Sequence, residues 1–173
     1  MKIRSFPTFM WGMAIVSGIL SVIFTLLSVK AVAITCGTFF YHFAMRLLVG
    51  ALVPNRFDPE HAWFRQRNFE GRVYKFLRLR RWKAKMPTYD PRLFSTQCYS
   101  PAEIAKNMCQ AEVVHEVIIL LSFVPLLFSL LWGSFWVFLI TSVIAAAIDL
   151  TFVMMQRYNR PRLLKMLQRR HVL

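Results

Sequence analysis

The chain has 173 residues, of which 57% are hydrophobic, and its formal net charge is +14. The length suits one domain, but the apolar and basic residues occupy separate segments, which argues against a soluble core and against a nucleic-acid-binding surface. The composition predicts an all-α integral membrane protein whose basic segments meet anionic lipid headgroups or phosphate-bearing molecules.

Two apolar runs open the chain, over residues 9–29 and 31–53. Each approaches the roughly 20 residues that cross a hydrocarbon core. Lys2 and Arg4 would suit a signal peptide, but the first run is long and no clear small-x-small cleavage site follows it. A helical hairpin that turns near Lys30 is therefore predicted.

A polar, basic block covers residues 54–112, and two further apolar runs follow over 113–131 and 134–155, with Gly133 between them. A basic tail occupies residues 156–173. The turns inside the two pairs of runs carry almost no Lys or Arg. The positive-inside rule then predicts four spans in a single membrane domain, with both termini and the block in the cytoplasm.

Apolar residues recur at helical spacing within the basic block, from Phe64 to Leu77, with basic residues between them. This pattern predicts an amphipathic helix in the membrane interface. A helix that packs on the spans and leaves its charges in solvent fits the same pattern, so both interpretations stay open. Pro87 and Pro91 end the pattern and predict a loop.

The three cysteines, Cys36, Cys98 and Cys109, form no Cys-x-x-Cys pair. Their odd number and scattered positions indicate neither a disulfide framework nor a zinc site. We therefore expect ordinary reduced thiols and no metal.

Glu112 and His115 lie three residues apart where the third run enters the membrane. On a helix this spacing puts both side chains on one face, where a carboxylate raises the basicity of an imidazole and fixes its tautomer. A general base that takes a proton from an attacking hydroxyl needs this arrangement. The alternative is a polar cluster that only anchors the helix end.

His42 and Arg46 lie four residues apart in the second run, and Asp149 lies late in the fourth. A charged side chain at membrane depth needs a partner or must reach the interface, so Asp149 is a candidate partner of Arg46. A structural polar pair and a substrate contact both fit these residues, and Tyr41 fits either.

Two basic clusters stand out, Trp82-Lys83-Ala84-Lys85 in the block and Gln156-Arg157-Tyr158-Asn159-Arg160-Pro161-Arg162-Leu163 after the fourth run. Positive-inside anchoring explains their charge but not the Asn and Pro that interrupt the second cluster. Pro161 suits the first turn of a helix, so a new helix is predicted to start there, with Asn159 or Arg160 near its cap. A helix start flanked by arginines suits a phosphate or carboxylate group.

Four blocks, in order along the chain, carry a resemblance to a known family. They are Asn68-Phe69-Glu70-Gly71, Trp82-Lys83-x-Lys85, Ala111-Glu112-x-x-His115 and the string from Gln156 to Leu163. Together they resemble the glycosyl-4,4′-diaponeurosporenoate acyltransferases, small bacterial membrane proteins of carotenoid biosynthesis. The likeness spans roughly Phe64 to Leu163, and the first apolar run is poorly covered.

The resemblance implies a membrane-bound acyltransferase that transfers a fatty acyl group to a hydroxyl of a glycosylated isoprenoid or another glycolipid. On this interpretation His115 is the catalytic base and Glu112 is its orienting partner, roles that come from their chemistry. The acyl donor, acyl-CoA or an acyl-carrier protein, is a co-substrate, and no bound cofactor is expected. The residues assigned to the donor phosphates or the acceptor headgroup are Arg157, Asn159, Arg160, Arg162, Trp82, Lys83, Lys85 and Glu70.

Two other classes of function fit the same residues. The first is a non-catalytic membrane interaction or scaffold protein that uses the same basic surface. The second is another lipid-modifying enzyme, such as a methyltransferase or prenyltransferase. Membrane lipids and a lipid or glycolipid substrate are the expected partners, nucleic acid is not, and the oligomeric state is left open by the sequence.

Overall fold

The computed structural model describes residues 5–86, 88 and 90–171, except for the side chains of residues 5, 84 and 169–171. Over that range all regular structure is helical, so the predicted all-α fold class is confirmed. The basic N-terminal residues Lys2 and Arg4, the predicted breaker Pro87 and the last two residues of the predicted tail lie outside the described part.

The chain divides into two compact units, which are described separately. One combines Met1–Leu52 with Glu116–Leu150, and the other combines Val53–His115 with Thr151–Leu173. The single membrane domain inferred from the sequence stays a prediction.

The first unit begins with a helical hairpin, α1 (Ser5–Leu26) and α2 (Lys30–Leu52), which confirms the turn predicted near Lys30. Small residues let the two helices approach closely. A methyl group built on Gly18 would lie 3.1 Å from the ring of Phe40, and Ser21 Oγ donates to the carbonyl of Ala33 at 2.9 Å. Close backbone approach is a usual way to pair helices in a bilayer, where lipid competes for apolar contact.

The basic block in the second unit is partly helical, as predicted, but its helices are short. They are α3 (Glu70–Phe76) and α4 (Leu79–Trp82), with 3-10 turns at Ala62–Phe64, Lys83–Lys85 and Pro91–Phe94. The amphipathic helix predicted from Phe64 onward begins only at Glu70. The carbonyls of residues 63–65 accept hydrogen bonds from arginine side chains instead of helical amides, which accounts for the later start.

One face of α3 is apolar and open. Phe69 and Phe76 are 55% and 85% exposed, whereas Glu70 and Tyr74 on the opposite face are buried. The exposed face is that of an interfacial helix, but its contact with a membrane stays a prediction.

The third apolar run is longer than predicted and is interrupted once, giving α5 (Pro101–Leu121) and α6 (Pro125–Trp132). Pro125 has no N–H to donate to the carbonyl four residues earlier, that of Leu121. The phenol of Tyr41 donates to that carbonyl at 2.8 Å. A neighbouring helix thus satisfies the group that the proline leaves free, as a low-dielectric environment requires.

The last helix, α7 (Phe135–His171), begins after Gly133, whose φ of 73° favours glycine, so the predicted turn there is confirmed. The predicted helix start at Pro161 is wrong, because α7 continues through that residue. Side chains on both sides of the proline are held by hydrogen bonds, from Arg160 to Glu112 and from Arg162 to the carbonyl of Tyr158. These contacts offset the loss of one helical hydrogen bond.

Among the described residues, four helical segments are long and apolar enough to cross a membrane: Phe6–Leu26, Lys30–Leu52, Pro101–Trp132 and Phe135–Gln168. They overlap the four predicted spans: the first two match the predicted bounds to within about three residues, and the last two extend well beyond theirs. The multi-pass architecture inferred from hydropathy is therefore confirmed at this level.

Candidate functional site

A polar pair lies among the apolar helices of the first unit. Arg46 on α2 donates to the carboxylate of Asp149 on α7, the partner suggested by the sequence. The same guanidinium donates to the carbonyls of His42 and Ala145, at 2.8 and 3.3 Å. His42 is 5% exposed, and neither of its ring nitrogens has a hydrogen-bond partner within the described residues. Tyr41 bonds to α5 and is not part of this pair.

Most of the residues singled out in the sequence lie in the second unit, around Glu112. This α5 side chain is fully buried, and each of its carboxylate oxygens accepts a hydrogen bond from an arginine of α7. Oε1 lies 2.7 Å from Arg157 Nη1, and Oε2 lies 2.5 Å from Arg160 Nη1. The two arginines are three residues apart, so the helical period presents both to the same carboxylate.

Glu70, at the start of α3, is the second carboxylate of this cluster. Its Oε1 accepts from Arg157 Nε and Nη2 at 3.0 and 2.8 Å, and its Oε2 accepts from the hydroxyl of Tyr74 at 2.7 Å. Burial alone would raise the pKa of Glu70, but the hydrogen bonds from Arg157 and Tyr74 outweigh it, and the pKa lies below its ordinary value. Burial, followed by the bond to Glu70, raises the pKa of Tyr74.

Three consecutive backbone carbonyls complete the cluster. Arg157 donates to the carbonyls of Trp63 and Arg65 at 3.2 and 3.0 Å, and Arg160 donates to that of Phe64. Two guanidiniums and two carboxylates thus balance in charge, and they tie α3, α5, α7 and residues 63–65 together. We call Glu70, Glu112, Arg157 and Arg160 the buried network. Its arginines are already bound by carboxylates, as buried charges must be.

A second group of polar side chains lies around the ring of Tyr158 on α7. The guanidinium carbon of Arg162 lies 3.4 Å from the ring centroid, and Lys83 Nζ lies 4.7 Å from it. Lys83 also donates to Asn159 Oδ1 at 2.6 Å. Burial, then the charges of Arg162 and Arg80, lower the pKa of Lys83.

A cavity of about 710 Å³ opens beside this group. Two aromatic rings that meet edge to face, Tyr74 and Tyr158, form part of its wall, together with Gly71 and Gln66. The other described lining residues are cations: Lys75, Arg78, Arg80, Arg81 and Arg162. We call it the cationic cavity.

His115 lies on α5 about one turn beyond Glu112 and is half-buried. Its imidazole stacks on the ring of Phe152 of α7, with centroids 4.6 Å apart and planes 10° from parallel. The stack holds the plane of the imidazole. The role of Glu112 as orienting partner of His115 stays a prediction, and the carboxylate oxygens of Glu112 are engaged by Arg157 and Arg160.

The remaining predicted binding residues are peripheral. Trp82 donates from Nε1 to the carbonyl of Leu77 at 2.9 Å, and Lys85 is exposed at the end of a 3-10 turn. The sequence motifs assign no role to Tyr74 and Tyr158, the two tyrosines of the cavity. The spacing of Glu70 and Tyr74, four residues apart on one helix, was the available signal for the first of them.

The family model for glycosyl-4,4′-diaponeurosporenoate acyltransferase matches residues 60–169, well over half of the chain. The chain belongs to this family. The resemblance seen in the four sequence blocks is thereby confirmed. No curated protein and no solved structure matches the chain.

The segment shared with the glycosyl-4,4′-diaponeurosporenoate acyltransferase family contains the buried network, the cationic cavity and His115. It leaves out α1 and α2 altogether. The family likeness therefore falls on the candidate site rather than on the opening hairpin.

Proposed function

We propose that this member of the family transfers a fatty acyl group to a hydroxyl of a glycosylated isoprenoid or another glycolipid within the membrane. One observation carries the proposal. The segment matched by the acyltransferase family contains His115, a half-buried imidazole that is stacked on Phe152 in a helix apolar enough to lie in the bilayer. Ionisable side chains at such depth tend to be functional, because burial makes them costly to keep.

His115 acts as the general base. It takes the proton of the acceptor hydroxyl as the hydroxyl oxygen attacks the carbonyl carbon of the acyl donor. The new carbon–oxygen ester bond forms, the bond from the carbonyl carbon to the donor sulfur breaks, and the proton passes from the imidazole to the departing thiolate. A positioned base of this kind contributes about 10²- to 10⁴-fold in rate.

Glu112 contributes through structure in this proposal. Its hydrogen bonds to Arg157 and Arg160 hold α5 against α7, the two helices that carry the stacked rings of His115 and Phe152. A fixed imidazole reaches the attacking geometry with less loss of entropy. Glu112 is thus a positioning residue.

The donor and the orientation complete the proposal. The donor is a fatty acyl thioester of coenzyme A or of an acyl-carrier protein. The basic block and both termini face the cytoplasm of a bacterial cell, where such donors are made, because short segments rich in Lys and Arg are retained on that side. The acceptor glycolipid reaches the site from the membrane.

The test compares two histidine variants of the full chain, expressed in cells that supply the glycolipid. His115→Gln should lower the acylated glycolipid by about 100-fold or more while membrane insertion and thermal stability are kept. His61→Gln removes an exposed histidine in the same matched segment and should leave the product unchanged. The measurement is lipid mass spectrometry, in which the product gains the mass of one fatty acyl group.

Three results would contradict the proposal. Full product formation by His115→Gln would remove the assigned base. A mass gain equal to a methyl or isoprenyl group would indicate a different lipid-modifying enzyme. No lipid change in cells with and without the protein would favour a scaffold.

A further inference from the structure

The cationic cavity differs from ordinary basic surface because its positive charges converge. Its volume of about 710 Å³ is that of a small-molecule site. Lys75 comes from α3, Arg80 and Arg81 from α4, and Arg162 from α7. Charges that only anchor helices at a membrane need not line the same cavity.

The backbone conformation that brings these charges together is unfavourable. Arg78 separates α3 from α4 with a φ of 50°, a left-handed conformation that costs an L-residue other than Asn or Asp about 1–2 kcal/mol. The turn at Arg78 lets two successive short helices line the same cavity. Strain of this kind concentrates where a ligand or a reaction needs the geometry.

The five cations of the cavity are exposed to solvent rather than buried against carboxylates of the described chain. In the described part of the chain, none of the five forms an ion pair with a carboxylate. The carboxylates Glu70 and Glu112 are instead bound by Arg157 and Arg160. Burial, and after it the charges of Arg162 and Arg80, lower the pKa of neighbouring Lys83. A polyanion would balance the charge of the five cations.

We propose that the cationic cavity binds the phosphate groups of a soluble nucleotide thioester, so that the acyl donor is of the coenzyme A class. This inference rests on the proposed acyl transfer. Arginine forks bind phosphate oxygens through paired hydrogen bonds, and five cations match a molecule with several phosphates better than a lipid headgroup with one. A concave cavity of this volume also suits a small molecule better than the convex surface of an acyl-carrier protein.

The test measures binding of coenzyme A to the full-length protein in nanodiscs of zwitterionic lipid. The double variant Arg80→Gln, Arg81→Gln removes two cavity charges, and the control Arg67→Gln, Arg72→Gln removes two exposed charges of the same block that do not line the cavity. The cavity variant should raise Kd for coenzyme A at least about tenfold, because charge-assisted hydrogen bonds are lost. The control should stay within about twofold. Pantetheine, which lacks the phosphates, should not compete.

Parallel experiments distinguish coenzyme A from two other ligands, an anionic lipid headgroup and an acyl-carrier protein. Binding to phosphatidylglycerol vesicles should fall equally in the cavity variant and the control. A fall specific to the cavity variant, with coenzyme A binding unchanged, would overturn the inference and assign the cavity to a lipid headgroup. Product formation from acyl-carrier protein but not from acyl-CoA would also overturn it, while leaving acyl transfer intact. If coenzyme A binds as expected but no acyl product forms, the proposed function fails and the ligand assignment stands.

Discussion

The buried network and the cationic cavity both depend on arginines, but only the arginines of the network have acidic partners in the described structure. In the network, Arg157 and Arg160 are balanced by Glu112 and Glu70. In the cavity, five cations surround an open volume with no carboxylate among its described lining residues. Positive charge near a membrane thus has two different settings here: in one it holds helices together through carboxylates, and in the other it is left without an acidic partner among the described residues.

The helical period divides the basic string of α7 between these two regions. Arg157 and Arg160 lie about 60° apart around the helix, and Arg162 lies about 140° from Arg157. The first two therefore meet the carboxylates of α3 and α5, whereas Arg162 lies over the ring of Tyr158 at the cavity. Neighbouring residues in one string thus have different roles.

The largest effect should follow from removing the central charge of the network. Glu112→Gln keeps the size of the side chain but leaves two buried guanidiniums without a full counter-charge, so we expect a loss of about 3–5 kcal/mol in stability. Thermal unfolding in detergent measures it. Glu60→Gln, an exposed carboxylate of the basic block, is the control and should unfold like the parent. Equal melting temperatures for parent and Glu112→Gln would show that the charge of Glu112 does not stabilise the fold, and the network would then not differ from the cavity in this respect.

A smaller effect, with a defined pH dependence, should follow from Glu70→Gln. The variant loses hydrogen bonds from Arg157 and Tyr74, which we expect to cost about 1–3 kcal/mol at neutral pH. The pKa of Glu70 is lower in the folded protein than in the unfolded chain. Its stabilisation is therefore present above the ordinary glutamate range and is lost as the pH falls through the folded value.

The measurement is the difference in melting temperature between parent and Glu70→Gln over a series from pH 7 to about pH 3, which passes below the ordinary glutamate pKa. The difference should shrink toward the acid end. A difference that stays constant or grows as the pH falls would show that the carboxylate charge is not what Glu70 contributes.

The smallest effect on stability should come from the cavity. Arg80→Gln with Arg81→Gln removes charges that have no acidic partner in the described structure, so the free energy of unfolding should change by less than about 0.5 kcal/mol or rise slightly as repulsion is relieved. Thermal unfolding checks this beside the binding assay. A loss as large as that of Glu112→Gln would mean that the cavity arginines are structural.

Local spacing predicted part of the site but not the arginine contacts of the Glu112 carboxylate. The blocks around Glu70, Glu112, His115 and Arg157 identified the family and the right segment of the chain. Spacing also suggested His115 as the neighbour of Glu112, since the two are three residues apart. The observed partners of the carboxylate, Arg157 and Arg160, lie more than 40 residues away in sequence, and no local pattern specifies such a contact.

In the fold, too, local sequence patterns predicted some features and long-range contacts decided others. The runs of apolar residues predicted the four membrane-length helices, because a bilayer demands a length and a composition that can be read directly. They did not predict that α7 continues through Pro161. Nor did they predict that Tyr41 donates a hydrogen bond to the carbonyl of Leu121, which Pro125 leaves without its helical partner. In both places side chains from other parts of the chain offset the effect of a proline.

Hydropathy, charge and local motifs were thus enough to identify the helical membrane class, the location of the basic block and the acyltransferase family. Which of the basic residues are neutralised depends on the tertiary structure. Hydropathy and helical period are properties of a segment, whereas charge compensation depends on the distance through space to a carboxylate and on burial away from water. Those distances exist only once α3, α5 and α7 have packed together.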